Sequence, residues 1–214
     1  DLTFIGPNSG TGLYCTSSID MDHVNVENFG TAFVLSSLWY GYFKNLRLYH
    51  NSVGFSMDYC YNVNFITPRF TFRDWNEKSA TGFKLSRNMS ITVTGGSMES
   101  YDKCVVFGSG YAEHVTCQGV YMEANAPVAN YTSQYGAIAF DMSDTTQCSL
   151  YLSGGHYYIS NTHAFIRANG AQRCVITSIG NKVKGGNGDS SFPNSLGYYC
   201  QSNGAGNLAR VMLG

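Results

Sequence analysis

Two glutamates occupy matching positions in two similar stretches of the sequence. Glu99 lies in GGSMES at 95–100, and Glu123 lies in GVYMEANAP at 119–127. If these stretches form neighbouring strands about 4.8 Å apart, their carboxylates approach the separation of roughly 5–5.5 Å found in retaining glycosidases; inverting enzymes need about 6.5–9.5 Å. Like charges this close raise the pKa of one carboxyl group, which makes a general acid near neutral pH. Glu99 and Glu123 are the predicted catalytic pair.

Aromatic and cationic side chains fall beside this pair in the same alignment. Tyr121 and His156 share one column, Tyr158 follows Glu123 in the next column, and Arg69 comes from the preceding repeat. Tyrosine rings can stack on sugar rings, and a guanidinium can hold an acidic sugar. These four residues are predicted to bind substrate. Trp75, beside an inserted loop, is predicted to do the same.

The alternation of side chains predicts which column faces the interior. Successive residues of a strand point to opposite faces, so Phe70, Met98, Met122 and Tyr157 are expected to point inward. The flanking columns, which carry the candidate site, are then expected to point outward.

Simpler interpretations of the same residues stay open at this point. Glu99 and Glu123 could be solvated turn residues, or could accept hydrogen bonds from backbone N–H groups at a bend. His156 alone is more often structural than catalytic. Tyrosine-rich outer columns could instead form a trimer interface, because interfaces are enriched in aromatic residues and depleted of charge.

The elements that must position these residues form an internal repeat. Short segments with alternating apolar residues recur at steps of 22, 22, 17, 28, 24, 35 and 25 residues. They are LTF at 2–4, VNV at 24–26, LRL at 46–48, VNF at 63–65, ITV at 91–93, VTC at 115–117, LYL at 150–152 and VIT at 175–177, with a ninth starting at Leu208. Between them lies a second series, GLYC at 12–15, AFVL at 32–35, GFSM at 54–57, GFKL at 82–85, VVFG at 105–108, AFDM at 139–142, AFIR at 164–167 and GYYC at 197–200.

This repeat predicts an all-β fold, a right-handed single-stranded parallel β-helix of about eight coils. A strand of three to five residues cannot bury its apolar face alone, but stacked copies build one continuous core. Polar insertions at 76–81, 125–136 and 185–195 are expected to protrude as loops. Alternating βαβ units would need an amphipathic helix, which the sequence lacks, and an immunoglobulin-type sandwich would need hairpin turns, which are scarce. Handedness follows from the rule for parallel crossovers.

Residues 1–214 are predicted to form one domain. Neither end of the pattern resembles a cap, so we expect this domain to be part of a longer polypeptide, since an uncapped solenoid exposes strand edges.

Composition excludes several classes of function. The net charge is -1 and only 13% of residues are charged, which argues against nucleic-acid binding and a polybasic membrane patch. No apolar run is long enough to insert into a membrane. The seven cysteines are scattered without a C-x-x-C pair, so most are expected to be reduced and buried rather than part of a disulfide framework or a zinc site. No metal or other cofactor is predicted.

These strand pairs, together with GGSMES, GVYMEANAP and the low-charge composition, resemble the right-handed parallel β-helices of the pectin-lyase-like group. Within that group the chain is most similar to the shaft domains of bacteriophage tailspikes. The resemblance implies a homotrimer in the virion tail, synthesised in the host cytoplasm, that binds and often cleaves bacterial surface polysaccharide. The pectinolytic hydrolase motifs N-T-D, D-D, G-H-G and R-I-K are not present, GGH at 154–156 being the nearest match, and the acidic calcium cluster of the lyases is missing.

Three functions follow as hypotheses. The leading one is a tailspike β-helix that binds and depolymerises host surface polysaccharide, with endoglycosidase-type chemistry. The second is a non-catalytic glycan-binding adhesin or trimeric fibre shaft. The third, weakened by the missing motifs, is a secreted polysaccharide lyase.

Overall fold

The computed structural model describes residues 1–72, 80–125, 137–142, 145–160, 162–169, 173–185, 196–201 and 208–213. This part of the chain contains β-strands and no helix. The strands form three sheets of eight strands each, and every strand pair is parallel. The predicted all-β parallel β-helix is confirmed.

Each coil of the chain contributes one strand to each sheet in turn. Sheet A contains β1 (Leu2–Ile5), β4 (Val24–Glu27), β7 (Arg47–Tyr49), β10 (Arg69–Thr71), β13 (Ser97–Tyr101), β16 (Tyr121–Asn125), β19 (His156–Ser160) and β22 (Lys182–Gly185). Sheet B contains β2 (Thr11–Cys15), β5 (Thr31–Ser36), β8 (Val53–Asp58), β11 (Thr81–Ser86), β14 (Lys103–Phe107), β17 (Ala137–Asp141), β20 (Thr162–Asn169) and β23 (Leu196–Gln201). Sheet C contains β3 (Ile19–Asp22), β6 (Gly41–Lys44), β9 (Tyr61–Ile66), β12 (Asn88–Thr94), β15 (Gly110–Gln118), β18 (Thr145–Ser153), β21 (Arg173–Ile179) and β24 (Leu208–Leu213).

The sequence predicted two strands in each coil, and this is wrong because each coil has three. The second predicted series corresponds strand for strand to sheet B. The first series mixes two sheets, since Leu48 belongs to sheet A whereas Val63 belongs to sheet C. The exceptional step of 17 residues marks this change of sheet. Strands of both sheets alternate in the same way, so their patterns are indistinguishable.

The connections between sheets differ in how much their length varies. From sheet C to sheet A the chain passes one or two residues in every coil, as at 23, 45–46 and 119–120. From sheet A to sheet B the spacing is far more variable. The long insertions after Thr71, after Asn125 and after Gly185 all fall there.

A stack of phenylalanine rings fills the interior of the first coils. Phe33 and Phe55 stack with centroids 4.6 Å apart and planes 7° apart, and Phe43 and Phe65 stack at 5.1 Å and 11°. Phe83 continues the first stack at 5.4 Å from Phe55. All five rings are buried, because they occupy the inward positions of paired strands. Equivalent positions of successive coils therefore pack directly on one another.

The corner from sheet C to sheet A is a column of residues in left-handed backbone conformation. Gly95, Gly119 and Gly154, which open the motifs GGSMES, GVYMEANAP and GGH, are equivalent members of it. The φ angles of the column lie between 48° and 63° in His23, Asn45, Thr67, Gly95, Gly119, Gly154 and Gly180. This conformation costs little for glycine, which occupies four of these seven positions, and is tolerated by asparagine at Asn45.

Buried asparagines satisfy backbone groups at the corners. The Asn51 side chain donates to the Val26 carbonyl at 2.8 Å and accepts from the Phe29 N–H at 2.9 Å. Asn88 does the same for the Met57 carbonyl and the Cys60 N–H. Each asparagine thus links one coil to the preceding coil where strand pairing is interrupted.

The cysteines follow the sequence prediction with one exception. Cys60, Cys104 and Cys117 are buried thiols, as expected. Cys148 and Cys174 pair in register on β18 and β21, with Cα atoms 4.7 Å apart, and form a disulfide. Most cysteines of the described residues are reduced, as expected, but the sequence did not identify this pair. Residues 26 positions apart become neighbours only because one coil of the β-helix separates them.

Burial of Cys60 makes the fold sensitive to alkaline pH. Burial raises the pKa of this thiol from 9.0 to about 11. Above pH 9 the unfolded chain loses this proton while the folded chain retains it, so stability present below pH 9 falls as the pH rises toward 11. We expect the urea midpoint to fall less between pH 8 and pH 10.5 for Cys60→Ala than for the unaltered protein. Equal falls would show that Cys60 does not contribute.

Candidate functional site

The outward face of sheet A carries the predicted acids, tyrosines and His156 on β13, β16 and β19, with Arg69 on the preceding strand β10. Arg69 pairs with Ser97, Ser97 pairs with Tyr121, and Tyr121 pairs with His156. Glu123 pairs with Tyr158 one column away. These columns are as predicted. Trp75 lies outside the described residues.

The inward column of sheet A is also as predicted. Phe70, Met98, Met122 and Tyr157 pair successively and are all completely buried. Alternation along each strand then turns the residues on either side toward solvent. The candidate site therefore lies on the exterior of the β-helix and not in its core.

The two glutamates are close, but their predicted in-register stacking is wrong. Met98 pairs with Met122, yet the next pair joins Tyr101 to Ala124, so β13 carries one extra residue in a bulge that contains Glu99. Ser100, beside it, has a φ of 64°. Such a bulge redirects a side chain relative to the regular ladder, and bulges are frequent next to active sites.

Tyr121 contacts Glu123 directly and lies in the electrostatic field of both acids. Its hydroxyl donates a hydrogen bond to Glu123 Oε2 at 3.4 Å. Burial raises the pKa of the Tyr121 phenol, and the negative charges of Glu123 and Glu99 raise it further. The phenol is therefore a neutral hydrogen-bond donor placed within electrostatic reach of both carboxylates. Its ring also meets the His156 ring edge to face, with centroids 5.7 Å apart.

The arrangement suits contact with a polyhydroxylated ligand. Glu99, Glu123, Tyr121 and Tyr158 are half-buried, whereas His156 is exposed. Carboxylates accept hydrogen bonds from sugar hydroxyls, the phenol donates one, and the rings offer apolar faces. A carboxyl group at the rim of such a surface can also exchange a proton with a bound glycosidic oxygen.

Arg69 lies apart from this group, in a cleft at the corner between sheets C and A. The cleft has a volume of about 300 Å³. It is lined by Asp1, His23, Asn25, Asn45, Leu46, Arg47, Thr67 and Arg69. Arg47 was not among the predicted site residues, because LRL at 46–48 was aligned with VNF at 63–65, a strand of sheet C, and not with the strand that carries Arg69.

A second group that the sequence analysis missed is an exposed aromatic cluster between sheets B and C. The Trp39 ring stacks on Tyr61 with centroids 5.0 Å apart, and the Tyr61 and Tyr111 hydroxyls lie 3.4 Å apart. Arg87, paired with Asp58, lies 4.1 Å above the ring of a further tyrosine, Tyr59. The signal was SLWYGY at 37–42, an apolar stretch whose three aromatic rings, Trp39, Tyr40 and Tyr42, are all exposed.

Within the described residues, no group of three or more His, Cys, Asp or Glu residues is placed to hold a metal ion. No helix there is both long and apolar enough to cross a bilayer.

Among known proteins, no family model, no curated protein and no solved structure matches the chain. The assignment of a parallel β-helix rests on the strand pairing within this chain.

Proposed function

We propose that this β-helix binds a bacterial surface polysaccharide along the outward face of sheet A and cleaves it with Glu99 and Glu123. The observation that carries the proposal is the hydrogen bond from the Tyr121 hydroxyl to Glu123, on the same exterior face that presents Glu99 from the neighbouring strand. Long, flat exterior faces suit a polymer, because successive coils can contact successive sugar units. The resemblance to tailspike shafts points to the same class of ligand.

The hydrogen bond of Tyr121 supports one division of roles between the two acids. Glu123 accepts this bond and is oriented by it, so in this proposal it is the base or nucleophile. Glu99 is then the acid that protonates the glycosidic oxygen as the bond to the anomeric carbon breaks. Tyr158 and His156 flank the pair and hold the sugars on either side.

The assembly and location follow from the same resemblance. We propose a homotrimer in the tail of a virion, outside the cell, after synthesis in the host cytoplasm. Support comes from the exposed rings of Tyr14, Trp39 and Tyr40, each about 65% accessible, since subunit interfaces are enriched in aromatic residues.

The test compares three glutamine variants on purified capsular polysaccharides and O-antigens. We expect Glu99→Gln and Glu123→Gln each to lower the release of new reducing ends by about 10²-fold or more, because each removes a proton-transfer group. Glu27→Gln is the matched control, because Glu27 lies on the same sheet A face three coils before Glu99.

The outcomes separate the hypotheses. Full activity in both Glu99→Gln and Glu123→Gln would exclude this pair as the catalytic residues. Products with unsaturated sugars instead of reducing ends alone would show a lyase.

A non-catalytic adhesin or trimeric fibre shaft is the second candidate. The bulge at Glu99 favours it, because this irregularity interrupts the direct stacking of the two acids that a retaining pair needs. This candidate is supported if the unaltered protein binds polysaccharide and releases no oligosaccharide.

A further inference from the structure

Two arginines stack on neighbouring strands at the cleft between sheets C and A. Arg47 of β7 pairs in register with Arg69 of β10, so their side chains leave the same face about 4.8 Å apart. Both are exposed. Like charges directly opposite each other on paired strands are destabilising, so this arrangement has a cost in the empty protein.

The surrounding residues do not neutralise these charges. The ion pairs among the described residues join Asp22 to His23, Asp58 to Arg87 and Asp141 to Lys103, and none involves Arg47 or Arg69. Asp1 is the one acid among the described residues that line the cleft. Counted over the lining residues alone, two guanidinium groups and the Asp1 carboxylate leave an excess of positive charge. The carboxylate of Asp22, which does not line the cleft, is bonded to Asn45 and His23.

The other walls are polar and mutually bonded. Asn45 donates to Asp22 at 2.9 Å and accepts from the Thr67 hydroxyl at 2.8 Å, while His23 Nδ1 lies 2.8 Å from Asp22. Asn25 donates to a threonine of the preceding coil. These bonds fix the corner, so the guanidinium groups project from a rigid frame. A volume of about 300 Å³ lies at the lower end of the range for small-ligand sites.

We propose that this cleft binds the anionic group of an acidic sugar, with Arg47 and Arg69 as the paired ligands of one carboxylate. A planar guanidinium binds a carboxylate through two parallel N–H···O bonds, and one anion placed between two guanidinium groups removes their repulsion. The inference rests on the proposed function for the polymer and adds its chemical class, an acidic polysaccharide that spans the cleft and the sheet A face.

The test uses a hexamer of galacturonic acid and its fully methyl-esterified form, titrated by calorimetry at low ionic strength. The two probes share the same sugar backbone, and the ester replaces each charged carboxylate by a neutral group that carries an added methyl. We expect the esterified hexamer to bind at least about tenfold more weakly, since it cannot accept the charge-assisted hydrogen bonds of a carboxylate. Arg47→Met and Arg69→Met are each expected to weaken binding of the acidic hexamer by about tenfold or more.

The control is Lys84→Met, which removes one positive charge from the exposed face of sheet B. It should change the affinity by less than about twofold, because a distant exposed charge is screened. Neither arginine variant should unfold more easily than the unaltered protein, since each relieves a repulsion. Loss of stability in both variants would instead indicate a structural role.

Two results would overturn the anion site. One is equal affinity for the two hexamers; the other is an absence of binding to the acidic hexamer at millimolar concentration. The cleavage assay on Glu99 and Glu123 stays independent, because binding here needs no catalysis. If the cleavage assay excludes Glu99 and Glu123 while the cleft still binds the acidic hexamer, the depolymerase proposal fails and the anion site stands.

Discussion

Phe55→Ala should lower the free energy of unfolding by about 3–5 kcal/mol, the range for removing a large buried aromatic side chain. The Phe55 ring is fully buried and stacks between Phe33 and Phe83, with centroids at 4.6 and 5.4 Å. It also meets Phe43 and Phe65 edge to face, at 5.4 and 4.8 Å. An alanine there leaves a cavity that rings on paired strands cannot close. Denaturant unfolding followed by circular dichroism measures the loss.

Two further variants separate cavity formation from other effects. Phe55→Leu keeps most of the volume and should cost clearly less than the alanine variant. Lys84→Ala truncates an exposed side chain on the same sheet and should change stability by no more than about 0.5 kcal/mol. Similar losses for Phe55→Ala and Lys84→Ala would mean that the stack does not hold the first coils together.

Gly96→Ala is expected to cost about 3 kcal/mol, because two separate penalties meet at this residue. Its φ of 80° lies in the left-handed region, which costs an alanine about 1–2 kcal/mol. A Cβ would also overlap the carbonyl oxygen of Pro68 on the preceding coil, which adds about 1–3 kcal/mol of overpacking. That carbonyl accepts the Ser97 N–H at 2.8 Å, so it cannot move away without losing a ladder bond. The urea midpoint reports the cost.

Gly119→Ala is the matched control for the steric part. Gly119 has a φ of 63°, but nothing lies within 4 Å of its Cβ position, so only the conformational penalty applies. Gly119→Asn should cost less still, because Asn45 occupies the equivalent corner with a φ of 52°. If Gly96→Ala were no worse than Gly119→Ala, close packing against Pro68 would not constrain the corner.

The sequence was sufficient for the fold class and for one complete sheet. Strands such as AFVL at 32–35 and GFKL at 82–85 share a small residue followed by inward apolar residues, and that signature identified all of sheet B. Sheets A and C could not be separated in the same way. Their strands are short and carry the same alternation, so only the pairing of backbones distinguishes Leu48 from Val63.

The parts of the candidate site that depend on the alternation of side chains along a strand were predictable from the sequence. The parts that depend on a bulge in a strand were not. Tyr121, His156 and Tyr158 follow from counting residues after the corner glycines. The bulge at Glu99 does not, because an extra residue in one strand leaves no mark in an alternating pattern. The pairing of Arg47 with Arg69 required the correct assignment of β7 and β10 to one sheet.

The connections between sheets determine where the sequence of such a chain can vary during evolution. From sheet C to sheet A the path is held to one or two residues, while from sheet A to sheet B it accepts long insertions, and the next strand still pairs in parallel with its neighbour of the preceding coil. Loop-closure entropy grows slowly with length, so these insertions cost little. Segments exchanged at this corner could therefore diversify recognition beside a constant scaffold, and a combinatorial library built there would leave the folding information of the repeat intact.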